Sequence, residues 1–176
     1  MEFMKTIAMR KSTRSYKSEQ INDENLNTIL TAGCAAPIGM GAYNAVHITV
    51  IQNPDMLARI SKAIANLMGN PKANPLYSAP TLVIVSGKPN AKAPNIEIAN
   101  ASCIVENMTL AATNLNLGSV YVMGPVIVLN TDKELLKDLN LPEGFVPAAG
   151  LLLGHPTEAL TKEEELKQTI TLNTIK

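Results

Sequence analysis

Between Glu2 and Arg10 the apolar positions Phe3, Met4, Ile7 and Ala8 fall on one helical face, which predicts a short first helix. From Ser12 to Ser18 the chain turns polar and loses that period, so the helix ends in a basic, hydroxyl-rich turn. Leu26, Ile29, Leu30, Gly33 and Cys34 then recur at i, i+3, i+4, i+7 and i+8 behind a cap at Asn22 or Asp23, until Pro37 stops the run. This is the clearest amphipathic signal in the chain. Val46 to Gln52 is rich in β-branched residues and predicts a strand. Asn53, Pro54 and Asp55 follow as a cap, a first-turn proline and an acidic first turn, opening a third helix through Met56, Leu57, Ile60, Ile64 and Leu67 to Gly69.

Asn70 to Pro80 is punctuated by Asn and Pro and predicts a loop, after which Thr81 to Val85 is an apolar run suited to a strand covered on both faces. A second loop, Lys88 to Asn95, leads into Ile96 to Leu117, a long helix apolar over most of its circumference and stopped by Gly118. Such a helix belongs in the middle of something, and for so small a chain that middle is expected to be a subunit interface. Ser119 to Met123 and Phe145 to Leu153 predict two more strands, separated by one helix whose Thr131 and Glu134 match a capping box. The tail from Thr157 is polar, and its alternating Thr169, Ile170, Thr171 and Leu172 offer a further strand. Neither a repeat nor a linker divides residues 1–176, so the expectation is a single α+β domain, one sheet flanked by helices around a central apolar helix.

Composition narrows the function. The 15 Lys and Arg balance the 15 Asp and Glu, which argues against a nucleic acid partner or a polybasic membrane surface. Charged residues make up 17% of the chain, below a base rate of about 25%, and hydrophobic residues 46%, an excess that suggests burial against a partner. With 3% aromatics and no Trp, stacking platforms are scarce, and eight Met serve as adaptable filler. No run reaches the ~18 apolar residues of a membrane span, and the N-terminal stretch lacks a signal-peptide core, so a cytoplasmic location is expected. Cys34 and Cys103, without CxxC or His spacing, are expected to be buried free thiols.

The densest chemistry lies at Arg10, Lys11, Ser12, Thr13 and Arg14, three cations and two hydroxyls in five residues. Two readings stand: basic residues complementing a helix C-terminus, or a clamp in which guanidinium forks and a hydroxyl neutralise a phosphomonoester. The glycines of Gly39-Met40-Gly41-Ala42-Tyr43-Asn44 follow a helix and precede a strand, the reverse of a dinucleotide-binding loop. They serve either a plain turn or close backbone approach to something flat. His47 and His155 have no ligand partners at metal spacing and read as structural, Glu163 to Glu165 read as a solvated face, and nucleophile signatures are absent. Anion binding with no catalytic side chain and no metal site points to chemistry borrowed from a cofactor.

Four stretches in order give the chain its resemblance to the FMN-dependent nitroreductase family in its compact form. They are Arg10-Lys11-Ser12-Thr13-Arg14-Ser15-Tyr16, Ala35-Ala36-Pro37-Ile38-Gly39-Met40, the helix from Asn100 to Ala112 with Leu117-Gly118-Ser119, and Leu139 to Pro156. The resemblance implies an intertwined homodimer with FMN held at the interface by both subunits. By match of position, Arg10, Lys11, Ser12 and Arg14 would bind the phosphate and ribityl chain of FMN. Pro37, Ile38, Gly39 and Met40 of the other subunit would face the ring, Met123 and Gly124 would present backbone near its reactive nitrogen, and residues 157–176 would extend over the partner. Tyr43 and Asn44 stand where the family's flavin-contacting polar side chains are missing, and Lys162 is the available match for a later phosphate-binding base. The implied activity is ping-pong hydride transfer from NADH or NADPH to FMN and on to a small-molecule acceptor such as a nitroaromatic or quinone, with no catalytic side chain. A flavin-binding protein without turnover and a flavin-free structural dimer remain as alternatives.

Overall fold

The computed structural model describes residues 2–176; Met1 lies outside them. Helices α1 (Phe3–Met9) and α2 (Asp23–Cys34) come first, then strand β1 (Val46–Ile51), α3 (Pro54–Leu67), β2 (Thr81–Gly87), α4 (Ile96–Asn114), β3 (Gly118–Val122), α5 (Gly124–Thr131), α6 (Lys133–Asp138) and β4 (Val146–Gly154). The strands form one four-stranded sheet in the order β1-β2-β4-β3, every neighbouring pair antiparallel. The architecture is α+β, as the alternation of helical and strand patterns requires.

Helix starts follow local chemistry. The Glu2 carboxylate accepts from the Met4 and Lys5 amides, Asn22 from Asn25 and Asn53 from Met56, so each of these three helices begins where a side chain satisfies an orphan N–H. Strand β2 is buried along its whole length. Its alternation sends Val83 and Val85 to a core with Ile29, Ile104 and Met108 under α2 and α4. Leu82 and Ile84 enter a second core with Ile60, Ile64 and Leu129 under α3 and α5.

Several sequence expectations need correction. The single helix before β4 is two, α5 and α6. The Thr131 hydroxyl donates back to the Ile127 carbonyl at 2.9 Å, and the cap is Asp132, whose carboxylate accepts from Glu134 and Leu135. Helix α4 stops at Asn114; Asn116 turns left-handed at φ 57°, and the Leu117 amide closes on Ala112. Cys34 and Cys103 are free but exposed, one at the end of α2 and the other on the outer side of α4. The same outer side leaves Ile98 43% exposed, so a single chain buries α4 on one side only. Thr169 to Leu172 form no strand here, and Ile170 and Leu172 stand 84% and 71% exposed.

Leu152 on β4 has no exposed surface and sits in the second core. Truncation in Leu152→Ala is expected to cost about 2–5 kcal/mol of stability, read from the shift of the urea unfolding midpoint.

Candidate functional site

The basic turn is held between two strands. Arg10 closes α1, its N–H bonded to the Thr6 carbonyl. The chain then runs extended: Ser12 bridges Ser119 at the start of β3 and Tyr16 bridges Pro156 just after β4. The Thr13 amide donates to Ser119 at 2.9 Å, the Lys17 amide to His155 at 2.8 Å and the Thr157 amide to Ser15 at 3.2 Å. Gly118 makes this contact possible, because a Cβ there would stand 2.7 Å from the Thr13 methyl. Alternation in the extended segment turns Thr13 inward and leaves Ser12 and Arg14 exposed.

Outside the stitched backbone lies a depression of about 350 Å³ walled by Lys11, Ser12, Arg14 and Ser15 on one side and Pro156, Thr157 and Glu158 on the other. Among the described residues the ion pairs are Arg59–Asp138, Lys162–Glu164 and Lys167–Glu165, so Arg10, Lys11 and Arg14 carry positive charge with no carboxylate on it. Helix-dipole complementation does not account for this, since Lys11 and Arg14 lie beyond a helix of seven residues. An exposed donor set of unpaired cations with two hydroxyls fits a dianionic phosphate.

Met123 and Gly124 lie at the far end of β3, where Met123 opens α5 without a side-chain cap. At about 3.3 Å per residue, Met123 is about 13 Å along the strand direction from Ser119. The adjoining cavity, about 500 Å³, is lined by Tyr121, Met123, Gly124, Tyr77, Asn74 and Met68, among others. Its far wall is stiffened where the Asn74 side chain donates to the Ser78 hydroxyl at 2.9 Å and accepts from the Ser78 amide.

Pro37, Ile38, Gly39 and Met40 lie elsewhere. Ile38 is buried in the core beneath α2 and α4, and Met40 is 71% exposed at the tip of a tight turn. This segment feeds β1, one edge of the sheet, whereas the basic turn and Met123 belong to β3, the other edge. Three strand spacings, about 14 Å, separate the two edges, and one chain does not bring the two groups together. Tyr43 and Asn44 are exposed in the same segment, and Lys162 pairs with Glu164 at 2.7 Å. His47 packs edge-on against Phe145.

Two residues figure in the sequence only as members of the family-like stretches, without a role. Asn100 was one polar position in an apolar helix with nothing to mark its partner, yet its side chain binds Gly39. Tyr16 is 6% exposed and its hydroxyl has no hydrogen-bond partner among the described residues. Burial, helped by Tyr77 and opposed by Arg14, raises the pKa of Tyr16 well above the ordinary tyrosine value. The native chain therefore holds this proton at a pH where the unfolded chain releases it, so stability falls as pH rises above about 10. Tyr16→Phe is expected to leave stability at neutral pH unchanged or slightly higher and to flatten that alkaline decline, measured by thermal melts across pH.

A sequence model of the nitroreductase family matches residues 7–155. A protein of Archaeoglobus fulgidus, named for NADH dehydrogenase and NAD(P)H nitroreductase, is 31% identical over 157 residues, 89% of this chain and 87% of that one. An FMN reductase [NAD(P)H] of Bacillus subtilis is 28% identical, over 95% of this chain and 71% of its own. A solved nitroreductase with bound FMN from Bacteroides fragilis superposes over 100% of both chains with TM-score 0.81 at 31% identity. Another, from Desulfitobacterium hafniense, gives TM-score 0.84 at 24% identity, a likeness of fold.

Proposed function

The chain belongs to the nitroreductase family, and from that premise we propose how its residues serve an FMN-dependent NAD(P)H oxidoreductase. When bound, FMN supplies the redox chemistry, taking a hydride equivalent from NADH or NADPH and giving electrons to a small acceptor, for which a nitroaromatic or quinone is our choice. Arg10, Lys11, Ser12 and Arg14 hold the phosphate and the near end of the ribityl chain. The observation that supports this assignment is their uncompensated charge above a backbone fixed to β3 and β4.

Strand β3 sets the distance from this anchor to Met123 and Gly124, whose backbone N–H groups would serve the reactive edge of a bound ring. A fixed N–H there would stabilise negative charge on the bound group, as an oxyanion hole does, and this reading requires no side-chain acid or base. Pro37, Ile38, Gly39 and Met40 complete the site from a second copy. Their position at the opposite sheet edge supports this, because one chain leaves them away from the anchor.

A homodimer also gives partners to the outer side of α4 and to the tail. Residues 1–176 form one domain; of the 157–176 extension, the first part stays on its own chain, where the Thr157 amide donates to Ser15 and the Glu164 amide to Ala8, and the exposed end lies on the partner subunit. The free edge of β1 and the exposed alternation ending in Ile170 and Leu172 support that docking. No helix among the described residues is long and apolar enough to cross a membrane, and we place the protein in the cytoplasm.

The deciding experiment is the visible spectrum of the chain after FMN addition and desalting, repeated anaerobically with NADH and with NADPH. A retained flavin band that bleaches supports the reading, and a band that is lost or stays oxidised overturns it. Arg14→Ala is expected to weaken FMN binding about 10- to 150-fold, the weight of one charged hydrogen-bonded contact, measured by flavin fluorescence titration. Sedimentation at micromolar concentration is expected to give a dimer.

A further inference from the structure

We infer that Asn100 is a positioning residue that sets the pose of the Pro37–Met40 segment, and through it the wall this chain offers to the flavin of a second copy. The inference rests on the reading of that segment given above. Asn100 lies inside α4, 6% exposed, where an amide side chain is a poor helix former and requires a partner. Its Oδ1 accepts from the Gly39 amide at 2.9 Å across 61 residues of sequence.

The segment has little else to hold it. Between Ile38 and Ala42 its other backbone bonds are local turns, from Gly41 to Ile38 and from Ala42 to Gly39; the next long-range bond comes only at Ala45, whose carbonyl accepts from Lys88. Met40 is left-handed at φ 59° and Gly41 at φ 64°, and Met40, 71% exposed, has almost no packing to keep it in a conformation that its side chain disfavours. At Gly39 the backbone packs closely on α4, where a Cβ would stand 2.6 Å from Ile96 Cδ1. The buried bond from Asn100 therefore fixes Gly39, and the left-handed pair that follows carries that orientation out to Met40. Ile38 on the other side is already anchored in the core.

The test compares Asn100→Ala, which removes the acceptor, with Asn100→Asp, which keeps an oxygen at the same reach. Two readouts are used: amide hydrogen exchange at Gly39 in the flavin-free chain, and the visible circular dichroism of bound FMN. Asn100→Ala is expected to speed Gly39 exchange about tenfold, the equilibrium weight of one hydrogen bond, and to change the flavin dichroism, with Asn100→Asp restoring both. Exchange that speeds up while the dichroism stays unchanged assigns Asn100 a purely structural role and overturns the inference, as does unchanged exchange. Should Asn100→Ala fail to fold by far-ultraviolet dichroism, Asn100→Ser, whose hydroxyl falls short of Gly39, is expected to behave as the acceptor-free variant. Loss of FMN by the unsubstituted chain is the distinct result that overturns the parent reading, and the exchange comparison still decides whether Asn100 holds Gly39.

Discussion

The rest of the structure depends on the antiparallel pairing of β2 with β4. Both strands are almost wholly buried, so helices must cover both faces of the sheet. With the middle occupied by this pair, β1 and β3 become edges, and edges are where backbone groups remain free to receive other segments. The basic turn uses β3 in this way, taking the Ser119 carbonyl as its anchor. The segment before β1 is instead drawn inward by α4 through Asn100.

That arrangement separates rigidity from chemistry. The cores place Leu151, Leu152 and Leu153 on alternate faces of β4 and fix the sheet. The charged groups and exposed apolar residues proposed to meet a ligand stand on short, extended or turned segments tied to the sheet by a few named bonds. A scaffold of this kind is suited to positioning a reactive group that it does not itself contain.

Much of the fold was legible because it is written in local periods. Leu26, Ile29 and Gly33 marked α2, the unbroken apolar run marked β2, and Asn53-Pro54-Asp55 marked the start of α3. Errors arose where a side chain had two local options. Thr131 bonds back into its own helix rather than capping the next, and Asn116 turns the chain before the apolar pattern ends. The exposure of Cys34 and Cys103 was hidden for a different reason, since an apolar neighbourhood in sequence does not say which side of a helix faces the sheet. In the site, Arg10 to Arg14 announced themselves by charge density, whereas the link between Asn100 and Gly39 joins distant residues and leaves no local mark.

The stitching of the basic turn also dictates an order of events in the life of the chain. Ser12 and Thr13 meet Ser119, Lys17 meets His155 and Ser15 meets Thr157, so the anion site draws on both ends of the sequence. A nascent chain still lacking β3 and β4 has the cations but no frame on which to hold them. The proposed ligand therefore meets a complete site only once β3 and β4 are in place. A ligand held there would stabilise the finished fold by mass action.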